Sequence, residues 1–185
     1  MKQQDIHIRI TGNSDLNDII KIETLAFGHD KEAKLTYELL NDKTARPYLS
    51  LIAFHNENAI GHILFTRAYL NNMSVQQPLI HILAPLAVIP GYQKKGIGEL
   101  LIKEGLEKLR EEGSEMVFVL GHMDYYPRHG FIPDAKRAGY RAPYPIPDEF
   151  VNAWMVQPLT SGGFTIPGGK VICADKLMKP EHWRE

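Results

Sequence analysis

Two adjacent stretches constrain the fold of this chain more than any others. Residues 79–88 form a nearly unbroken apolar run, which is typical of a strand buried on both faces in the interior of a sheet. Pro85 lies inside this run, and because proline has no N–H we predict a bulge or splay that leaves neighbouring backbone groups unpaired. The segment P-G-Y-Q-K-K-G-I-G follows directly and leads into a helix with apolar residues at helical spacing.

The start of this helix carries two glycines, Gly96 and Gly98, preceded by Lys94 and Lys95. Glycine costs about 1 kcal/mol per residue inside a helix, so two of them at one helix start favour a close approach of a ligand to the backbone. The amides of the first turn, the helix dipole and the two ammonium groups together predict a site for an anion such as a diphosphate. Taken alone, the two glycines fit a shaped loop with solvated lysines better than a ligand site.

The remaining patterns predict an α+β fold with a mixed central sheet flanked by helices. A strand at 79–88, the amphipathic helix and a short strand at 116–120 imply a parallel pair joined by a crossover. An N-terminal strand, two helices (the second at 30–40) and a hairpin of strands 48–55 and 59–70 precede this unit, and two strands at 150–156 and 170–177 follow it. We expect one domain over residues 1–185, with a core at 1–132 and C-terminal strands and Pro/Gly-rich loops at 133–185.

Composition excludes several classes of protein. Lys and Arg number 21 against 22 Asp and Glu, which argues against a polybasic nucleic-acid binder. Cys173 is the single cysteine and lies in an apolar run, so neither a disulfide scaffold nor a Cys-rich metal site is expected, and a buried thiol is. No transmembrane or secretory segment is apparent, and we expect a cytoplasmic protein with no metal, no nucleic-acid partner and no membrane partner, for which a homodimer stays open.

Two motifs resemble those of the GNAT superfamily of N-acetyltransferases. Q-K-K-G-I-G after L-A-V-x-P is similar to its coenzyme A signature, Q/R-x-x-G-x-G/A, and D-Y-Y-P-R-H-G-F at 124–131 resembles its Y-x-x-x-G-F block. One helix and one strand separate the two motifs, as in that family, and several stretches look like the YhbS-like subfamily. The resemblance implies the GNAT fold, a three-layer α/β arrangement in which two strands splay apart at the acetyl-CoA site.

The resemblance also implies roles for particular residues. The N–H of Leu86 would bind the thioester oxygen, and Tyr126 would donate a proton to the leaving thiolate. The side chain of the neighbouring Tyr125 is expected to point elsewhere. Residues implied in binding acetyl-CoA are Leu86, Ala87, Val88, Gln93, Lys94, Lys95, Gly96, Ile97 and Gly98.

The residue that accepts a proton from the attacking amine is left open by the sequence. Many family members use a carboxylate at the position occupied here by Ile82, so candidates come from elsewhere. Glu23, His62 and His81 are the acceptor-side candidates, and His122 and His129 flank the tyrosine block. The predicted function is transfer of an acetyl group from acetyl-CoA to a primary amine of a small molecule or peptide. A CoA-binding sensor without catalysis is the alternative.

Overall fold

The predicted mixed sheet has eight strands. The computed structural model describes residues 6–73 and 77–183 of the chain. Six strands follow the order β1-β2-β3-β4-β5-β7, and β8 pairs with the end of β3 and with β6. The strands are β1 (Ile6–Ile10), β2 (Leu49–His55), β3 (Asn58–Leu70), β4 (Ile80–Val88), β5 (Met116–Leu120), β6 (Tyr140–Arg141), β7 (Trp154–Pro158) and β8 (Gly169–Ile172).

Three helices cover the two faces of this sheet: α1 (Leu16–Phe27), α2 (Lys31–Asn41) and α3 (Ile97–Glu111). Successive side chains of β2 point to opposite faces of the sheet. Ile52 packs with α1 on one face, whereas Leu51 and Ala53 pack with α3 on the other. The helices and sheet therefore form the expected three layers. Within the described residues, no helix has the length and apolar character needed to cross a membrane.

Most predicted elements are confirmed. β2 and β3 form an antiparallel hairpin, and β4 and β5 form the parallel pair on either side of α3. The predicted helix at 30–40 is α2, shifted by one residue.

The predicted bounds of two strands near the C-terminus are wrong. The strand expected at 150–156 is β7 (Trp154–Pro158), because Pro147 begins a 3-10 turn over Asp148–Ala153 instead. The strand expected at 170–177 is β8 (Gly169–Ile172), since the amide of Leu177 turns back to the carbonyl of Ala174. Local apolar content located both strands, but the turns at their ends fix their bounds.

Candidate active site

A bulge in β4 creates the opening of the site, as the position of Pro85 predicts. Ile63 of β3 pairs with Leu86 and Phe65 pairs with Leu83, so two residues of β4 stand opposite the single residue between them on β3. Pairing of β4 with β5 ends at Leu83, whereas β5 continues in register with β7. The two parallel strands therefore separate beyond Leu83.

The backbone of residues 86–88 consequently has one free edge. The N–H of Ile89 donates to the carbonyl of Ile60 at 3.0 Å, and Ala87 stands opposite His62. Because hydrogen-bonded and non-hydrogen-bonded pairs alternate in an antiparallel ladder, the backbone groups of Leu86 and Val88 point away from β3. They face the gap between β4 and β5, where an extended ligand can pair with the N–H and carbonyl of Leu86 and the N–H of Val88 as a strand would.

The loop that follows β4 is built to present helix amides. Lys94 and Gly96 adopt left-handed conformations, with φ of 58° and 83°, and Gly96 is the N-cap of α3 without a side-chain cap. Gln93 Nε2 donates to the carbonyl of Val88 at 2.9 Å, and Lys95 Nζ donates to that of Gly91 at 2.7 Å. These two bonds fold the loop onto the end of β4, which leaves the first-turn amides of α3 for an anion.

Two of the predicted loop residues contribute differently from their neighbours. The side chain of Ile97 is 1% exposed and packs in the core beneath α3, so only its backbone is available to a ligand. The ammonium group of Lys95 lies 5.4 Å from the centre of the Tyr92 ring and bonds to the loop itself. Lys95 thus holds the loop in shape in this conformation.

The expectation that Tyr125 points elsewhere is wrong. A Cβ placed on Gly98 would lie 2.4 Å from the Tyr125 hydroxyl and 3.7 Å from a methyl group of Leu86. The Tyr125 ring also packs edge-on against His129, with 4.7 Å between the ring centres. Tyr125 therefore reaches across the gap to the start of α3, and a side chain at position 98 would collide with it.

Tyr126 is held more deeply than its neighbour. Its side chain packs edge-on against Phe131, and a Cβ on Gly121 would lie 2.5 Å from its ring. It is 8% exposed, and burial raises the pKa of its hydroxyl. The hydroxyl is therefore protonated at neutral pH and can donate a proton or a hydrogen bond.

The predicted acceptor-side residues Glu23 and His62 meet in the interior, between α1 and the sheet. His62 Nδ1 donates to Glu23 Oε1 at 2.6 Å, and the Ser50 hydroxyl donates to His62 Nε2 at 3.0 Å. Both side chains are 0% exposed, and burial raises the pKa of Glu23 against the opposing effect of His62. In this conformation neither residue can contact an acceptor from solution.

His81 lies apart from that pair. Its Nε2 donates to the carbonyl of Pro47 at 3.2 Å, and the Ser114 hydroxyl donates to its Nδ1 at 2.9 Å. Burial, with a smaller effect of the nearby Arg67 guanidinium, lowers the pKa of His81 to about 4. Both nitrogens are occupied by protein partners, so His81 is placed as a neutral structural histidine.

A cavity of about 630 Å³ opens beside the separation of β4 and β5, on the side of α2. Its floor is apolar and comes from Ile82, Leu83, Ala84 and Leu120. Charged side chains form its walls, and they come from α2, from the segment before α2 and from the C-terminal segment. These are His29, Lys31, Glu32, Lys34, Glu38, Lys179, Glu181 and His182.

The sequence analysis identified none of these wall residues. No motif marks the C-terminal segment, and its position against α2 depends on contacts distant in sequence. The amide of Asp175 donates to the Thr44 hydroxyl at 2.8 Å, and the amide of Lys176 donates to Asp42 Oδ2 at 3.2 Å. The fold of the whole chain thus brings the C-terminal residues to the cavity.

Comparisons with known proteins agree with this architecture. A family model described as the Acetyltransferase (GNAT) family matches residues 16–131. The chain is 55% identical over 166 residues to the uncharacterized N-acetyltransferase YjhQ of Escherichia coli K12, which covers 90% of this chain and 91% of that protein.

Two solved structures share the fold. The crystal structure of YhbS from Escherichia coli in complex with CoA has a TM-score of 0.83 and 28% identity, over 95% of this chain and 93% of that one. A GNAT family acetyltransferase from Brucella melitensis in complex with acetyl-CoA has a TM-score of 0.73 and 25% identity, over 93% and 97% of the two chains. With the family model and the YjhQ relative covering most of its length, the chain belongs to the GNAT family of acetyltransferases.

Proposed function

We propose that this protein transfers an acetyl group from acetyl-CoA to a primary amine by direct attack of the amine on the thioester. The observation that carries the proposal is the free edge of residues 86–88 beside the uncapped amino end of α3. An extended amide-containing arm ending in a diphosphate fits these two features together. The structural relatives in complex with CoA and with acetyl-CoA support the same ligand here.

The cosubstrate would be held mainly by backbone groups. The pantetheine arm would pair with Leu86 and Val88, and the diphosphate would accept hydrogen bonds from the amides around Gly96 and Gly98. Gln93 and Lys95 support this loop through their bonds to backbone carbonyls, and Lys94 adds positive charge. Since these contacts use the backbone, they require the loop conformation more than particular side chains.

Two groups of the site would assist the chemistry. The N–H of Leu86 would stabilise negative charge that develops on the thioester oxygen as the amine attacks. The hydroxyl of Tyr126, protonated at neutral pH, would supply a proton to the departing thiolate. The amine would approach from the cavity whose floor includes Leu83 and Ala84, next to the point where the strands separate.

The test of the proposal couples ligand binding to turnover. Acetyl-CoA and CoA should raise the melting temperature well above the shift given by ATP or NAD, because a ligand that binds only the folded state stabilises it. Release of free CoA should then depend on both acetyl-CoA and an added primary amine. Binding without any amine-dependent release of CoA would favour the sensor and contradict the enzyme.

Gly98→Val should abolish the acetyl-CoA shift, because the new side chain meets the Tyr125 hydroxyl and enters the ligand path at the start of α3. Gly91→Ala is the matched control, since a Cβ at that position meets no atom within 4 Å and its φ is not in the left-handed region. Isothermal calorimetry with CoA measures both variants. Wild-type affinity in Gly98→Val would exclude this loop as the diphosphate site.

A further inference from the structure

The acceptor cavity contains a histidine that meets the requirements of a proton acceptor. His182 lines the cavity, is half-buried, and its Nε2 is buried without a hydrogen-bond partner among residues 6–73 and 77–183. A buried imidazole nitrogen without a partner is unusual, because buried polar atoms are normally satisfied. Neighbouring side chains cover this nitrogen, so a group that enters the cavity must displace them to reach it.

The turn that carries His182 is fixed rather than free. The adjacent Trp183 is 2% exposed, its Nε1 donates to the carbonyl of Leu177 at 2.8 Å, and its ring packs edge-on against Trp154. The Tyr144 hydroxyl donates to the carbonyl of Met178 at 3.0 Å. The turn that carries His182 is thereby held in place beside the cavity, as a group that must meet a substrate in one orientation has to be.

Carboxylates surround this imidazole. Glu32 and Glu38 of α2 line the same cavity, and Glu181 and Lys179 lie on its own segment. The Glu32 carboxylate lies 2.9 Å from His29 Nδ1, at ion-pair distance but without the geometry of a hydrogen bond. Lys179 Nζ lies 3.8 Å from Glu38, which partly neutralises that carboxylate.

The two wall lysines of α2 are turned outward by comparison. Lys34 is 72% exposed and pairs with Asp30 at 2.6 Å, whereas the side chain of Glu32 is 30% exposed. Lys31 is also exposed. The inner part of the cavity therefore presents a carboxylate and an imidazole above an apolar floor, which suits an alkyl chain that carries an ammonium group.

We infer that this cavity binds an aliphatic ammonium through the Glu32 carboxylate, and that His182 Nε2 removes the proton which frees the amine for attack. This inference rests on the proposed acetyl transfer and names the acceptor class and the base of the same site. Removal of the proton requires His182 to be uncharged. Burial lowers the pKa of His182 from the ordinary value near 6.5, whereas the charges of Glu181, Glu38 and Glu32 act in the opposite direction.

The proton balance of the step is complete. His182 takes one proton from R–NH₃⁺ and later returns it to solvent. The neutral amine forms the N–C bond as the C–S bond of the thioester breaks, and the thiolate takes a proton from Tyr126. The second proton lost by the nitrogen restores the tyrosine hydroxyl.

The test uses the full chain, acetyl-CoA, and three probes: n-butylamine, an α,ω-diamine and a tripeptide with a free amino terminus. CoA release is measured from pH 5 to 9 for wild type, His182→Gln, Glu32→Gln and the control His7→Gln, whose residue is exposed on β1 and outside the cavity. His182→Gln should lower kcat by roughly 10²- to 10⁴-fold and remove the acid limb of the pH profile. Glu32→Gln should chiefly raise KM for the amine, by about tenfold.

The outcomes separate the two levels of the hypothesis. If wild type binds acetyl-CoA but acetylates none of the probes, the proposed function fails and the inference fails with it. If wild type is active and His182→Gln keeps both its turnover and its acid limb, the inference alone is overturned. Partial rescue of a His182→Ala variant by added imidazole would support proton transfer over a structural role.

Discussion

Two groupings, each of a glutamate carboxylate and a histidine imidazole, lie on the same side of the sheet. They differ chiefly in how open they are to solvent and ligands. Glu23 and His62 are sealed between α1 and the sheet, with every contact made inside the protein. Glu32 and His182 face a cavity, where one imidazole nitrogen has no partner in the described part of the chain. Burial of both partners keeps the first grouping away from any ligand, whereas the second is the one that we propose acts on a ligand.

The largest expected effect is a loss of stability when the buried grouping of Glu23 and His62 is disrupted. His62→Ala should lower the free energy of unfolding by about 3–5 kcal/mol, because Glu23 would remain buried without its partner. Denaturant unfolding followed by circular dichroism measures this change. His182→Gln is the control and should cost less than about 0.5 kcal/mol, since the open grouping adds little to the core. Equal losses in the two variants would show that the buried grouping adds no more to stability than the one beside the cavity.

The second effect is a pH dependence of stability that comes from the buried His81. Its pKa is lowered in the folded state to about 4, so protons bind the unfolded chain preferentially. The contribution to stability is fully present above pH 6.5 and is lost as pH falls towards 4, by about 3 kcal/mol in total. A His81→Asn variant should lose less stability over that range than wild type, measured by unfolding at several pH values. Parallel pH curves for the two proteins would show that His81 titrates normally.

The adjacent residues Tyr125 and Tyr126 also differ in burial, and we expect their loss to have smaller effects. Tyr126→Phe should lower kcat by roughly 10- to 10³-fold with little change in acetyl-CoA affinity, because its hydroxyl acts when the thiolate leaves. Tyr125→Phe should instead weaken CoA binding by a few-fold at most, since its hydroxyl lies at the start of α3. Calorimetry and steady-state kinetics distinguish the two. Wild-type turnover in Tyr126→Phe would assign that ring to packing.

The sequence was most informative where local chemistry determines the structure. Proline inside an apolar strand predicted the bulge that frees residues 86–88, and the paired glycines predicted the loop in front of α3. Both features depend on the backbone preferences of the residues themselves. The separation of β4 and β5 followed from the same stretch.

On the acceptor side, the sequence could not show which side chains face the cavity, for a physical reason. Glu23, His62 and His81 were candidates because they lie on elements near the cofactor strand, but nothing local reports which side chains the packed helices will cover. His182 is separated by about a hundred residues from the strand whose end it faces, and no periodicity encodes that contact. Tyr125 was misplaced because its direction depends on how the turn after β5 packs against α3.

The C-terminal wall of the cavity has a consequence for how such a protein diversifies. The family match ends at residue 131, whereas Leu177, Lys179, Glu181 and His182 lie well beyond it. The residues that bond the C-terminal segment to the turn after α2 are also separate from the loop at the start of α3. If the cavity receives the acceptor as proposed, selectivity for the acceptor and capture of the acyl donor depend on different parts of the chain, so substitutions in the C-terminal segment would change the acceptor while the donor site stays intact.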